Sequence, residues 1–380
     1  MEGARARQRL VREGSEMPGW AVRSAVWTAR AALALWVTTI FFYRPGVNGS
    51  VTADFPDMIY GKAYRPYVTR VLFPAVVRGV VAATPAGVRR AIEQNPLTVR
   101  LASSWYVSRE LKWRRNYLFE YLVSFALSAL CLIGFSVVLE RLWRCCFRPA
   151  HPFDAAVSLI GLLGLPPCFL YYSYLYDLPT LFLYTLCLWL LAARSWAWYL
   201  PAFALSSLSK ETSILLAVVF AVNFRACRRE DRRLYAALLA AQALIWTATR
   251  AAIAWAFRAN PGGSLEFHLV NHNLRELSVP YAMAPALAWL LIAAAVLHRL
   301  GDKPRLLRLA VSMLAPLVGL CLLFGYVDEL RDYYEVYAAA LLLAAFSFLR
   351  WTGAAVETIA PTRLSDAGRL RAAAPDGGSA

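Results

Sequence analysis

The sequence predicts an all-α fold, a polytopic transmembrane bundle of about ten spans with helices lying in the interface along its first outer loop. Three observations carry that expectation. Of 380 residues, 59 % are hydrophobic and only 17 % are charged, whereas an average soluble domain has roughly 45–50 % and 25 %. Mean hydropathy is +0.47, and the apolar residues collect into runs near the roughly 20 residues that a helix needs to cross about 30 Å of hydrocarbon. The net charge of +16 is spread over many short connections. It forms no single basic stripe, which excludes a nucleic-acid partner.

The runs follow one another as Ala25–Tyr43, Tyr117–Val138, Ala155–Tyr172, Leu178–Ala192, Trp196–Leu208, Thr212–Phe224, Leu234–Phe257, Met283–Leu300, Leu306–Val327 and Tyr333–Leu349. Those either side of Arg194 and Lys210 are short for a full crossing, and that pair also reads as one broken hairpin. With the N-terminus inside, the inner segments are Met1–Arg23, Arg141–Arg148, the turn at Arg194, Arg225–Arg233, His298–Arg308 and Arg350–Arg371. All are basic, as cytoplasmic short loops should be, so both termini are expected in the cytoplasm of an inner membrane. The long basic loop 44–116 falls outside and is exempt by its length. The parts are then a basic cytoplasmic N-terminus (1–24), a membrane domain (25–351) and a flexible Ala/Gly/Pro/Ser-rich tail (352–380). The Arg-rich start has no small-residue cleavage site before the first polar loop, which predicts a retained first span.

Within loop 44–116, Val71–Arg90 is too charged for a span and too apolar for a free loop. It reads as an interfacial helix, as does Leu97–Arg115 with Trp105, Tyr106 and Trp113 among Arg109, Lys112, Arg114 and Arg115; aromatics settle at headgroup level and the cations favour a lipid phosphate or anionic headgroup. Seven cysteines lie in apolar runs or beside basic loops with no CxxC spacing, and so are expected as buried or cytosolic thiols.

The same topology puts the unusual polar residues on the outer face. Asp54 and Asp57 lie three apart around Pro56, and a carboxylate there serves either as a base toward a hydroxyl, as a ligand for a divalent cation, or as a cap on the following helix. Asp177 opens a helix after Tyr171-Tyr-Ser-Tyr-Leu-Tyr176, where an acid either caps or stays available. Adjacent Lys210 and Glu211 sit at a hairpin tip, and ionisable residues at such depth are functional candidates; Lys210 is suited to hold a phosphate as a point charge. Arg331, in Tyr326-Val-Asp-Glu-Leu-Arg-Asp-Tyr-Tyr-Glu335, needs an anion, either Asp328, Glu329, Asp332 or a substrate phosphate. His268 and His272 are spaced for one helix face, but Leu269 stands where a zinc protease motif needs its acid. No nucleotide-binding or nucleophile-elbow motif occurs.

The order of these pieces, Asp54 and Asp57 leading to Tyr64-Arg-Pro-Tyr-Val-Thr-Arg-Val-Leu-Phe-Pro74, then Tyr176-Asp-Leu-Pro-Thr-Leu, Ser209-Lys-Glu-Thr-Ser213 and Glu329-Leu-Arg-Asp-Tyr, resembles bacterial polytopic glycosyltransferases of the GT-C superfamily. That resemblance implies transfer of a sugar from a polyprenyl-phosphate donor to an envelope acceptor at the outer face. It implies Asp54 or Asp57 as base or metal ligand, Lys210 and Arg331 on the donor phosphate, and Asp177 and Glu211 positioning donor, acceptor or cation. Arg65, Arg70 and Glu329, within the matching segments, are further expected substrate contacts. The sequence departs from the family in separating its first-loop acids as Asp-Phe-Pro-Asp and in lacking a large soluble domain after the last run. Two other readings stand beside this one: a transporter or flippase of a lipid-linked or anionic substrate, whose inverted repeats are not visible here, and a non-catalytic partner in envelope assembly.

Overall fold

The computed structural model describes residues 19–43, 47–48, 50–103, 113–148, 153–169, 173–225, 229–263, 267–274, 283–327 and 329–359. Each of the ten apolar runs contains a helix, and the described residues are all-α apart from one two-residue strand pair. Five helical stretches are long and apolar enough to cross a membrane: Trp20–Phe41, Arg115–Cys146, Arg229–Ala256, Arg305–Phe324 and Leu330–Trp351.

The first run is helix α1 (Gly19–Phe41). In the loop 44–116, α2 (Phe55–Ile59) takes its helical start from Pro56, whose fixed φ suits a first turn. The expected interfacial helix Val71–Arg90 is two helices, α3 (Leu72–Ala83) and α4 (Ala86–Glu93), because Pro85 interrupts it. Phe73, Val77 and Val81 of α3 are buried, while Val76 and Val80 are exposed. The second helix expected at the interface begins as α5 (Pro96–Ser103); Trp105, Tyr106, Arg109 and Lys112 lie outside the described residues.

The core is organised on α6 (Leu118–Cys146), which at 1.5 Å per residue runs roughly 43 Å. It packs against α1, α3, α7 (Phe153–Leu163) and α8 (Asp177–Ala192). Gly134 lets α6 and α8 approach, since a Cβ there would stand 2.8 Å from the Phe182 ring. Next come α9 (Trp196–Ser209), α10 (Ile214–Phe224) and α11 (Arg232–Ala256). Helices α8 and α9 have 16 and 14 residues, roughly 24 and 21 Å, which is short of the hydrocarbon thickness. The last part is α12 (Met283–Leu297), α13 (Arg305–Ser312), α14 (Leu314–Phe324) and α15 (Tyr334–Trp351). The run expected as one helix, Leu306–Val327, breaks at Met313. Pro316 explains the break: it has no N–H for the carbonyl of Ser312, and its ring crowds that carbonyl.

Contacts between helix ends fix their directions. At one end the starts of α8, α10 and α15 meet the ends of α9, α11 and α14. At the other, Ser347 of α15 donates to the carbonyl of Ala295 in α12 (2.7 Å), and Arg305 at the start of α13 donates to Val222 near the end of α10 (3.0 Å). From α8 to α15 the helices therefore alternate in direction, with α13 and α14 continuing one another. The second end carries Arg148, Arg194, Arg299, Arg305 and Arg350, as expected of the basic connections. The tail expected to be flexible from Thr352 starts ordered: Glu357–Thr358 pairs antiparallel with Phe147–Arg148, and Val356 is buried in the core. Towards this end a neutral cluster, Arg30, Glu140, Arg144 and Asp154, ties α1, α6 and α7 together, with Arg30 also donating to Ser158. The cysteines that are described are free thiols, buried or half-buried; Cys227 lies outside the described residues.

Candidate functional site

At the first end, short polar sequences interrupt apolar helices, and each interruption delivers charged side chains to one place. The Ser209-Lys-Glu-Thr-Ser213 tip turns extended at Lys210 and then forms one 3₁₀ turn, Glu211–Ser213, before α10. Lys210 and Glu211 are neighbours in sequence, so the turn sends them to different partners. The Lys210 ammonium reaches Glu335 of α15 at 3.0 Å and Asp332 at 4.0 Å, and Thr212 also donates to the Glu335 carboxylate. Glu211 is gripped in a fork by Arg70, at 2.8 and 3.4 Å, and is met by Arg250 of α11 at 3.6 Å. The indole of Trp246 donates to the Glu211 carbonyl at 3.0 Å, and the Val71 N–H to Leu208 at 3.1 Å. Those two bonds tie α11 and the loop 44–116 to the tip.

Asp177 does not cap α8. One of its oxygens accepts the Tyr174 N–H at 3.0 Å, and the other faces the Arg331 guanidinium at 3.7 Å. Arg331 also pairs with Glu329 and lies 3.9 Å from Asp332. Asp328, the other partner expected for Arg331, lies outside the described residues. Asp177, Lys210, Glu329, Arg331 and Glu335 are each at most 6 % exposed, and charges so buried persist only when paired.

Aromatic faces hold the two central arginines. Tyr67, Tyr174 and Tyr176 form a ladder with ring centroids 5.0 and 5.5 Å apart. The Arg331 guanidinium carbon stands 4.2 Å over Tyr174, and that of Arg70 stands 4.1 Å over Tyr176. A guanidinium held by its face keeps its N–H edges for anions.

These groups wall a cavity of about 410 Å³, with Arg65, Arg70, Arg250 and Arg331 as its cations and Glu211, Glu329 and Asp332 as its carboxylates. One side is apolar, made by Ile253 and Ala254 of α11, by Phe257 just after it and by Phe324 of α14. Its cations are not saturated. The buried Nε atoms of Arg65, Arg250 and Arg331, and Nη1 of Arg331, have no hydrogen-bond partner among the described residues. Burying N–H groups without acceptors is costly, and with four arginines against three carboxylates the cavity wall has the donor chemistry that suits an oxyanion. Burial pushes the Glu329 carboxyl up from its ordinary value, with Arg331 opposing and Asp332 and Asp177 adding to the rise.

Five of the nine residues expected from the sequence, Arg65, Arg70, Glu211, Glu329 and Arg331, line this cavity, and Asp177 and Lys210 lie behind it in the same charge network. Asp54 and Asp57 are on the same end of the bundle but do not line it. Asp54 pairs with Arg114, beside the stack of Trp113, Tyr121 and Phe55, and its carboxyl is raised chiefly by burial, with Arg114 opposing. The carbonyl of Asp57 accepts the N–H of Ala63 at 3.0 Å, two residues before Arg65, which puts that backbone within about 10 Å of the cavity wall. Arg65 is held by Gly262, whose carbonyl accepts its guanidinium at 2.7 Å, and by Pro261, which accepts its N–H at 2.9 Å.

Sequence reasoning named Asp332 as a partner of Arg331, 3.9 Å away here, but missed Arg250, Glu335 and the tyrosine ladder. A single arginine inside the apolar run Leu234–Phe257 was the available signal for Arg250. His268 lines the cavity, and both His268 and His272 pack on Tyr326, with ring centroids 4.7 and 4.1 Å away. Among the described residues no three His, Cys, Asp or Glu side chains are grouped to hold a metal ion. No protein-family model, curated protein or solved structure matches the chain.

Proposed function

We propose that this chain is a membrane glycosyltransferase of GT-C type, which takes a sugar from a polyprenyl-phosphate donor at the outer end of a bundle of about ten spans with both termini cytoplasmic. The observation that carries the reading is the cavity itself, where arginine edges without acceptors meet an apolar wall. A lipid-linked phosphate has both matching parts. Its oxygens take the free donors of Arg65, Arg250 and Arg331, and the first isoprene units lie along Ile253, Ala254, Phe257 and Phe324.

In this reading the arginines do more than bind. As the bond from sugar to phosphate breaks, negative charge grows on the bridging oxygen, and fixed cations in a site shielded from water lower the barrier to that change. Their fixity comes from the surroundings: Arg331 is stacked on Tyr174, and Arg250 donates to the Thr69 carbonyl at 3.0 Å. Lys210 is spent on Glu335 and acts from behind, positioning Asp332 and Arg331.

The test is incubation of the purified protein with polyprenyl-phosphate mannose, glucose and arabinose, each with a sugar or lipid acceptor, followed by mass analysis of the lipids. Release of polyprenyl phosphate with appearance of a glycosylated acceptor is expected. All donors remaining intact while polyprenyl phosphate fails to bind would sink the proposal.

A further inference from the structure

We propose that Glu329 is the proton acceptor of the transfer, parked on Arg331 until the donor phosphate takes that guanidinium. The inference rests on the glycosyl-transfer reading above, and it assigns the base to a residue other than the first-loop acids that the family resemblance implies. Of the three carboxylates on the cavity wall, Glu211 is forked by Arg70 and faced by Arg250, so its charge is spoken for. Asp332 sits between two cations, 3.9 Å from Arg331 and 4.0 Å from Lys210. Among the described residues Glu329 has one ion partner, the Nη2 side of Arg331, and Nε and Nη1 of that same guanidinium have no hydrogen-bond acceptor. Glu329 thus occupies one edge of an arginine whose Nη1 has only longer ion contacts, 3.7 Å to Asp177 and 3.9 Å to Asp332, and whose Nε has no hydrogen-bond acceptor among the described residues.

That arrangement couples binding to basicity. A phosphate that takes the Arg331 edge leaves Glu329 as a buried carboxylate with its counter-ion shared. The groups facing it are Arg331 and Asp332 from its own segment, Asp177 and Tyr174 from the start of α8, and His268 across the cavity. Burial and the two neighbouring acids all favour its protonated form. The acceptor hydroxyl then attacks the anomeric carbon as its proton passes to the Glu329 carboxylate. The new carbon–oxygen bond forms, and the bond from the anomeric carbon to the phosphate oxygen breaks with its electron pair left on that oxygen, on Arg331, Arg250 and Arg65. When polyprenyl phosphate leaves, Glu329 gives its proton to water and returns to Arg331.

The experiment uses the full-length protein in lipid nanodiscs, with the polyprenyl-phosphate sugar that wild type turns over, and with E329Q, E329D, D54N and D57N. For E329Q we expect kcat to fall about 100- to 10,000-fold, as for loss of a general base, with polyprenyl phosphate binding within about threefold of wild type. The acidic limb of the rate-against-pH profile should vanish in E329Q and shift in E329D, while D54N and D57N keep it. A wild-type acidic limb in E329Q or E329D, or loss of that limb in D57N, overturns the assignment but leaves the transferase reading standing. If E329Q no longer binds polyprenyl phosphate, E329D decides by the position of its limb. A wild type that turns over none of the donors overturns the parent reading, and the assignment goes with it.

Discussion

Replacing Lys210 with Met tests whether tips far apart in the chain are locked together. The ammonium is 3.0 Å from the Glu335 carboxylate, and Glu335 is fully buried. At an effective dielectric of about 20 the pair attracts by about 5.5 kcal/mol. Met fills the space of the Lys stem and removes the charge, leaving Glu335 with the Thr212 hydroxyl and an oxygen, Oε2, that already has no hydrogen-bond partner among the described residues. Breaking one side of a buried pair costs about 3–5 kcal/mol, of the same order as the Coulomb figure. At roughly 2 °C per kcal/mol for a large chain, Tm should fall by about 6–10 °C. The double variant K210M/E335L removes both charges and should recover most of the loss, since buried pairs replaced by apolar groups are often neutral. Thermal unfolding of detergent-purified wild type, K210M, E335L and K210M/E335L gives the coupling energy directly. Single variants that unfold within about 1 °C of wild type would refute the buried pair, and with it the convergence of the Lys210 tip on α15.

Other outcomes are expected from the same geometry. Gly262 has φ +85°, and a Cβ would stand 2.6 Å from the Arg65 carbonyl, so G262A should strain the Arg65 clamp by about 1–3 kcal/mol; binding of polyprenyl phosphate should weaken several-fold while Tm moves less than in K210M. Unchanged affinity would mean that Arg65 does not reach the phosphate. Asp54 has a folded value above its ordinary one, so the folded state binds the extra proton and its stability declines as pH rises through the window between the two. Tm measured against pH should therefore decline less for D54N than for wild type in that window, and an equal or steeper decline contradicts the burial of Asp54. Tyr60 is exposed at the cavity end and Trp351 at the other; with an impermeant maleimide, Y60C should label from the outer side and W351C from the cytoplasmic side, and the reverse pattern inverts the topology.

How far the sequence could be read depended on the kind of signal. Helix existence was plain, because apolar runs of this length leave the backbone few other ways to bond itself. Helix breaks were less so: Pro316 and Pro85 are visible in the sequence, but only packing decides whether a proline bends a helix or ends it. The charged tips were recognisable as candidates because Asp177, Lys210 and Arg331 stand out against apolar flanks. Their pairing was not legible. Adjacent residues such as Lys210 and Glu211 point different ways, so their partners, Glu335 and Arg70, come from segments more than a hundred residues away. The first-loop acids show the same limit, since the spacing of Asp54 and Asp57 carries no information on the pairing of Asp54 with Arg114 or on its place off the cavity wall.

The central claim is that the arginine-lined cavity receives the phosphate of a greasy carrier. Equilibrium binding of a polyprenyl phosphate and of the matching polyprenol, to wild type and to R331M in nanodiscs, tests it most directly. Two charge-assisted bonds of about 1.5–3 kcal/mol each predict that wild type prefers the phosphate over the alcohol by about 100-fold or more, and that R331M loses most of this preference. Equal affinity for phosphate and alcohol, or an undiminished preference in R331M, would contradict the account.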